Sequence, residues 1–285
     1  MIYLKGFRLP DIGTEEGFFT NLKRTCYTNY YPFGFFSSKA LNRIDFDPVT
    51  IFYGSNGSGK TTLLNVIAET IKAQRSAPFN KSSFFGDYVN RCEAKWEGFF
   101  HDSTVITSDD VFDYLFDMRA LNQGIDNKRE DLLREYTDLK YSKFQMRSLA
   151  DYEQLKKVNS ARRNTASGYV RQNLMNNVRG HSNGESAFMY FTQKIDANQI
   201  YLLDEPENSL SAEYQMELAQ FLTDSARFYN CQFIIATHSP FLLAMPDAKI
   251  YDLDSVPVST KKWTELDNVR KYYAFFRERK HEFEG

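Results

Sequence analysis

Eight consecutive residues, Gly54-Ser55-Asn56-Gly57-Ser58-Gly59-Lys60-Thr61, constrain this chain more than anything else in it. They fit the spacing G-x-x-x-x-G-K-(S/T). An apolar run, Thr50–Tyr53, precedes them, and a stretch with apolar residues at helical spacing (Leu63, Leu64, Ile67, Ile71) follows. Glycines let the backbone curl so that several N–H groups face one point. The start of the following helix adds partial positive charge there. Gly54 through Lys60, with Thr61 and Thr62, therefore reads as a phosphate cradle. Lys60 is expected to reach the outer phosphates as a point charge, and Thr61 to ligate Mg²⁺. The bland alternative is a glycine-rich turn with a surface lysine.

A second apolar run, Ile200–Leu203, ends in Asp204 and Glu205. Adjacent carboxylates at a strand end repel, and a divalent cation gives them a reason to be there. Asp204 is expected to hold Mg²⁺ through water, and Glu205 to orient and polarise an attacking water. Thr237-His238-Ser239 closes the next apolar run, with His238 lying 34 residues beyond Asp204. A neutral imidazole at that edge can donate to a phosphate. Ser182-Asn183-Gly184-Glu185-Ser186 precedes a further helical stretch and offers either an anion site or a simple helix cap.

Strand-like segments dominate residues 1–55, with an aromatic cluster over Tyr27–Phe36, and return over 84–108. A helical region begins at Asp109. Residues 128–180 carry 12 Lys/Arg against 6 Asp/Glu, although the whole chain is balanced at 35 against 37. Leu132, Tyr136, Leu139, Met146 and Leu149 recur there near helical spacing, so the segment reads as a helical insert. Its exposed cations would be Lys156, Lys157, Arg162, Arg163, Arg171 and Arg179. Apolar strands alternating with helices follow. The tail carries Trp263, Leu266, Val269, Tyr273 and Phe276 on one stripe, which reads as core. The class is α/β, with a mostly parallel sheet flanked by helices, an N-terminal antiparallel β portion and the inserted helical subdomain. The boundaries expected are 1–110, 111–180, 181–260 and a C-terminal helix over 261–285. No apolar run approaches the ~20 residues of a membrane span. The first residues do not resemble a signal peptide. Cys26, Cys92 and Cys231 show no metal spacing, so a reduced, cytoplasmic setting is expected.

Phosphate loop, SNGES, LLDE and histidine, in that order, resemble the motifs of ABC-type ATPases. SNGES resembles the signature sequence, Asp204 the Walker B aspartate, Glu207–Ser211 the D-loop, and His238 the switch histidine. DEPENSLS and IIATHSP are more similar to the non-transporter branch, which includes SMC-, RecF- and OLD-like proteins and standalone predicted ATPases. The resemblance implies ATP with Mg²⁺, sandwiched in an ATP-dependent homodimer. Lys60, Thr61, Asp204, Glu205 and His238 would come from one protomer, and Ser182 and Gly184 from the other, with Asn183 and Glu185 also in the nucleotide-binding set. Lys60, Glu205 and His238 would be catalytic. It also implies a glutamine at the end of the strand before the insert, where Ser108-Asp109-Asp110 stands; Asp109 and Gln123 are the candidates to replace it. Tyr31, Phe33, Phe35 and Phe36 are candidates to stack on adenine. Three uses of such a cycle stay open: action on nucleic acid in repair or phage defence, a membrane transporter's soluble subunit, or a gate for a toxin or nuclease partner.

Overall fold

The computed structural model describes residues 2–23, 26–98, 102–145, 148, 151–177 and 182–284. Arg179, Met146 and Leu149 lie outside them. The chain forms two compact units, one from 1–112 with 183–285 and the other from 113–182. In chain order the elements are β1 Leu4–Arg8, α1 Ile12–Thr20, β2 Arg43–Asp45, β3 Val49–Tyr53, α2 Lys60–Ile71, α3 Phe85–Val89, β4 Glu93–Trp96, β5 Ser103–Thr107 and α4 Ser108–Tyr141. Next come α5 Tyr152–Arg163, α6 Ala166–Asn173, α7 Asn183–Lys194, β6 Ile200–Asp204, α8 Ala212–Phe228, β7 Gln232–Ala236 and α9 Pro240–Leu243. β8 Lys249–Asp252, β9 Ser259–Lys261, α10 Asp267–Glu278 and α11 Lys280–Phe283 complete the chain.

Six strands form one sheet in the order β5-β6-β7-β3-β8-β9. All pairs are parallel except β8 with the short β9. Every residue of β3 and β7 is buried, which fits their mainly apolar sequences: both faces of a parallel sheet are covered. The register aligns Asp204 with Ala236, and Tyr53 with Asp252, so the strands end at one common edge. Open parallel sheets bind ligands outside that edge. A separate antiparallel sheet, β2-β1-β4, carries the N-terminal strand. The two sheets are joined by Gln232, a fully buried amide in β7. Its Oε1 accepts from the N–H groups of Tyr3 and Leu4 at 2.9 and 2.8 Å, and its Nε2 donates to the Leu4 carbonyl at 2.8 Å. Among the described residues no helix is long and apolar enough to cross a membrane.

Three local expectations are corrected. Residues 12–20 form a helix inside a region that reads as strands and turns. Asp11 caps it, accepting from Thr14 N–H at 2.8 Å, and Glu15 lies in its first turn. Residues 85–89 are also helical, fixed by Phe85 and Tyr88 entering the core. In the tail only Leu266 and Val269 are buried; Trp263, Tyr273 and Phe276 are exposed at 41%, 67% and 53%. The second unit has its own core, in which Leu132, Tyr136 and Leu139 of α4 meet Val158, Ala161, Tyr169 and Val170.

Candidate nucleotide-binding site

Gly54–Gly59 leave the buried end of β3 and turn directly into α2. Gly57 and Gly59 hold φ of +82° and +97°, the left-handed region where glycine is favoured. Gly59 is crowded as well: an added Cβ would lie 2.4 Å from Cε1 of Phe35. Lys60 is 5% exposed, and its Nζ donates to the carbonyls of Gly54 at 2.8 Å and Ser55 at 3.2 Å. The lysine thus curls back over the loop that precedes it.

Two side chains that sequence reasoning missed brace this loop. Asp254 accepts from Ser55 N–H at 2.7 Å and from the Ser55 hydroxyl at 2.9 Å. Lys39 donates to the carbonyls of Ser58 at 2.9 Å and Leu253 at 2.7 Å. Burial holds the Lys39 ammonium below the usual lysine range, with the carboxylates of Asp254 and Asp252 opposing that shift. Asp254 lies two residues beyond the end of β8, and nothing local marks Lys39. Among the aromatic candidates, Phe33 and Phe36 are core residues. Tyr31 and Phe35 are half-buried beside the loop, with the Tyr31 hydroxyl donating to Thr62 Oγ1 at 2.6 Å.

Thr61, Asp204, Glu205 and His238 are brought together by strand order. β6 and β7 are neighbours in register, so Asp204 and Glu205 emerge beside Thr237 and His238. Thr61 Oγ1 donates to Asp204 Oδ1 at 3.0 Å, which links the phosphate-loop helix to β6. Burial pushes the Asp204 carboxyl up to about 6. The Thr61 hydroxyl opposes this, and the Glu205 charge adds to it. One carboxylate and one hydroxyl are hard oxygen donors, the set that suits Mg²⁺ shared with phosphate and water. Glu205 has φ +47°, uncommon for a residue with a side chain, and its N–H donates to the Ala236 carbonyl at 2.8 Å. Its Oε2 accepts from Asn208 Nδ2 at 3.2 Å. His238 Nδ1 lies 3.8 Å from Glu205 Oε1 and 3.4 Å from Glu207 Oε1.

Ser182 and Asn183 are exposed where α7 begins, and Gly184 and Glu185 follow in its first turn. Gly184 packs on Tyr214 of α8, where an added Cβ would stand 2.9 Å from Cδ2 of the ring. Phe188 stacks on the same ring at 6.1 Å. At the expected glutamine, Thr107 of β5 is level with Asp204. Asp110 is engaged as a local cap, accepting from Thr107 N–H and Oγ1, both at 2.8 Å, and from Ala77 N–H at 3.2 Å. Asp109 and Gln123 are both exposed on α4.

The fold and the cradle define an α/β P-loop nucleotide-binding protein. A family model described as "ABC transporter" matches residues 43–208, more than half of the chain, and the chain belongs to that family of ABC-type ATPases. A second model, described as "AAA domain, putative AbiEii toxin, Type IV TA system", matches residues 177–244. Solved structures with a similar course include "An inward-facing conformation of a putative metal-chelate type ABC transporter", at 15% identity and TM-score 0.39, covering 97% of this chain and 90% of that one. Another is the SMC head domain from Thermotoga maritima, at 13% identity and TM-score 0.38, covering 91% and 98%. A third is an SMC head bound to the C-terminal winged-helix domain of ScpA, at 17% identity and TM-score 0.37, covering 77% and 92%. Scores this low add no weight beyond the family match. No curated protein matches the sequence.

Proposed function

We propose that this ATPase works as a Mg²⁺-dependent, ATP-gated homodimer in which each protomer completes the other's site. The observation that carries this reading is the Thr61–Asp204 hydrogen bond at 3.0 Å, with Glu205 and His238 at the same sheet edge. The Gly54–Thr62 backbone and Lys60 would bind the phosphates. Thr61 and Asp204 would hold Mg²⁺, which when bound neutralises charge on the β- and γ-phosphate oxygens. Glu205 would orient the attacking water and accept its proton, and His238 would donate to the γ-phosphate. Positioning and charge stabilisation suffice, without a covalent intermediate. Ser182, Asn183, Gly184 and Glu185 would serve the partner's nucleotide. Tyr31 and Phe35 are the aromatics left beside the loop to meet the base.

Glu205→Gln tests the core of this proposal. It is expected to slow hydrolysis by about 10²–10⁴ and to elute as a dimer with ATP and Mg²⁺ but not with EDTA. Undiminished turnover, or a monomer under both conditions, refutes it.

What closure drives is best read as an effector gate. The match over 177–244 to a toxin–antitoxin family model supports this use. Charge in the insert gives less support to nucleic acid. Lys156 pairs with Glu153, Lys157 pairs with Glu135, and Arg162 donates to the Ser142 carbonyl, so among these described cations only Arg163 and Arg171 make no ion pair or hydrogen bond. Phosphate contact by those two would show as DNA retention that falls with salt.

A further inference from the structure

Glu207 follows Glu205 by two residues, yet its side chain is 5% exposed. One oxygen, Oε1, accepts three hydrogen bonds: from the Thr237 hydroxyl at 2.6 Å, His238 N–H at 3.0 Å and Ser239 N–H at 3.1 Å. All three donors belong to the loop that leaves β7. Among the described residues no lysine or arginine pairs with this carboxylate. Its other oxygen, Oε2, is buried with no partner there. A buried charge is tolerated only where hydrogen bonds compensate for lost water, and donors to an ionised acceptor are the stronger kind. Three converge on one atom, so the loop is held at that point.

We infer that Glu207 is a positioning residue for hydrolysis, fixing the backbone of residues 237–239 and so holding the His238 imidazole against Glu205. This rests on the assignment of Glu205 and His238 to the γ-phosphate. The flanks of the loop have anchors of their own. Thr237 N–H donates to the Phe52 carbonyl at 3.2 Å. The Ser239 hydroxyl donates to Gln215 Oε1 at 2.7 Å and caps α9. The residue between them depends on Glu207, whose Oε1 is the acceptor for its N–H. Loss of Glu207 should therefore leave the strand and α9 in place and release His238. Glu207 is bound to neither Lys60 nor the phosphate cradle, so nucleotide affinity should not move with it.

The experiment is a double-variant cycle on the full chain with ATP and Mg²⁺, using Glu207→Ala, His238→Ala and the pair. Glu207→Ala is expected to lower kcat by about 10²-fold, the scale of an ångström-level misplacement. KM and the calorimetric ATP Kd should stay within about twofold, well under the tenfold that 1.4 kcal/mol would give. The pair should be no slower than His238→Ala alone, because both changes remove the same contribution. Glu207→Gln keeps shape and an acceptor while losing the charge. It should fall between wild type and Glu207→Ala, and it carries the same cycle if the alanine variant does not fold. Unchanged kcat in the Glu207 variants, losses that multiply in the pair, or a kcat loss accompanied by weaker ATP binding would each overturn the inference. Full kcat in His238→Ala would sink the underlying assignment and this inference with it. A slow His238→Ala with multiplying losses sinks this inference alone.

Discussion

Gly57 and Gly59 share a backbone conformation and differ in what surrounds them, which makes them a controlled pair. Alanine at either position must adopt a left-handed backbone, costing about 1–2 kcal/mol. At Gly57 nothing lies within 4 Å of the new methyl group, so that is the whole cost. At Gly59 the methyl would stand 2.4 Å from Cε1 and 3.1 Å from Cζ of Phe35, and 3.3 Å from the buried Phe36. Displacing a packed ring adds about 1–3 kcal/mol. Gly59→Ala should therefore exceed Gly57→Ala by that increment. Where the strain persists in the free protein it lowers Tm, by about 2–4 °C per kcal/mol. Where the free loop relaxes, the same energy appears as weaker ATP binding, tenfold for each 1.4 kcal/mol or so. Thermal unfolding and titration calorimetry of both variants measure the two shares together. Adding Phe35→Leu to Gly59→Ala should recover part of the increment. Equal losses for the two alanine variants in both assays would refute the crowding argument.

Two further outcomes follow from the packing. Gly184→Ala should leave ATP binding by the single protomer intact, since its obstacle is the Tyr214 ring at 2.9 Å, but should weaken ATP-dependent dimerisation by light scattering; a dimer of wild-type strength would remove Gly184 from the seam. Glu15 is buried, and its carboxyl is raised by that burial against the hydrogen bonds from Ser37 and Gly34. A raised carboxyl contributes stability that is present at low pH and lost as pH rises through its folded value. Glu15→Gln should therefore gain in Tm relative to wild type from pH 4.5 towards pH 8, and the opposite trend would count against the assignment.

The parts of the site that sequence revealed are those built from neighbours in the chain. The phosphate loop, the Asp204–Glu205 strand end and His238 announce themselves because one strand or helix start carries each of them. Glu207 is marked in the sequence only as the first residue of the D-loop-like Glu207–Ser211. Its partners lie about 30 residues away and meet it through the β6–β7 register. Lys39 and Asp254 are further apart still and meet at the loop from opposite ends of the chain. The helix at 12–20 was hidden by its phenylalanines, which suit a strand equally well, although Asp11 with Thr14 and Glu15 marks its start. The exposed tail aromatics show the limit of periodicity: a stripe says which residues share a face, and not whether anything covers it.

Sheet order has a consequence for biosynthesis. The strand bearing the phosphate cradle has β7 and β8 as its two neighbours, and both are translated more than 170 residues after it. A nascent chain emerging from the ribosome therefore holds its glycine loop without a sheet to brace it until Asp252 and Asp254 have appeared. Such long-range pairing is slow to form. The nucleotide pocket is therefore assembled only after more than 170 further residues have followed the glycine loop, so a product cut short of Asp254 would have no competent site with which to spend ATP.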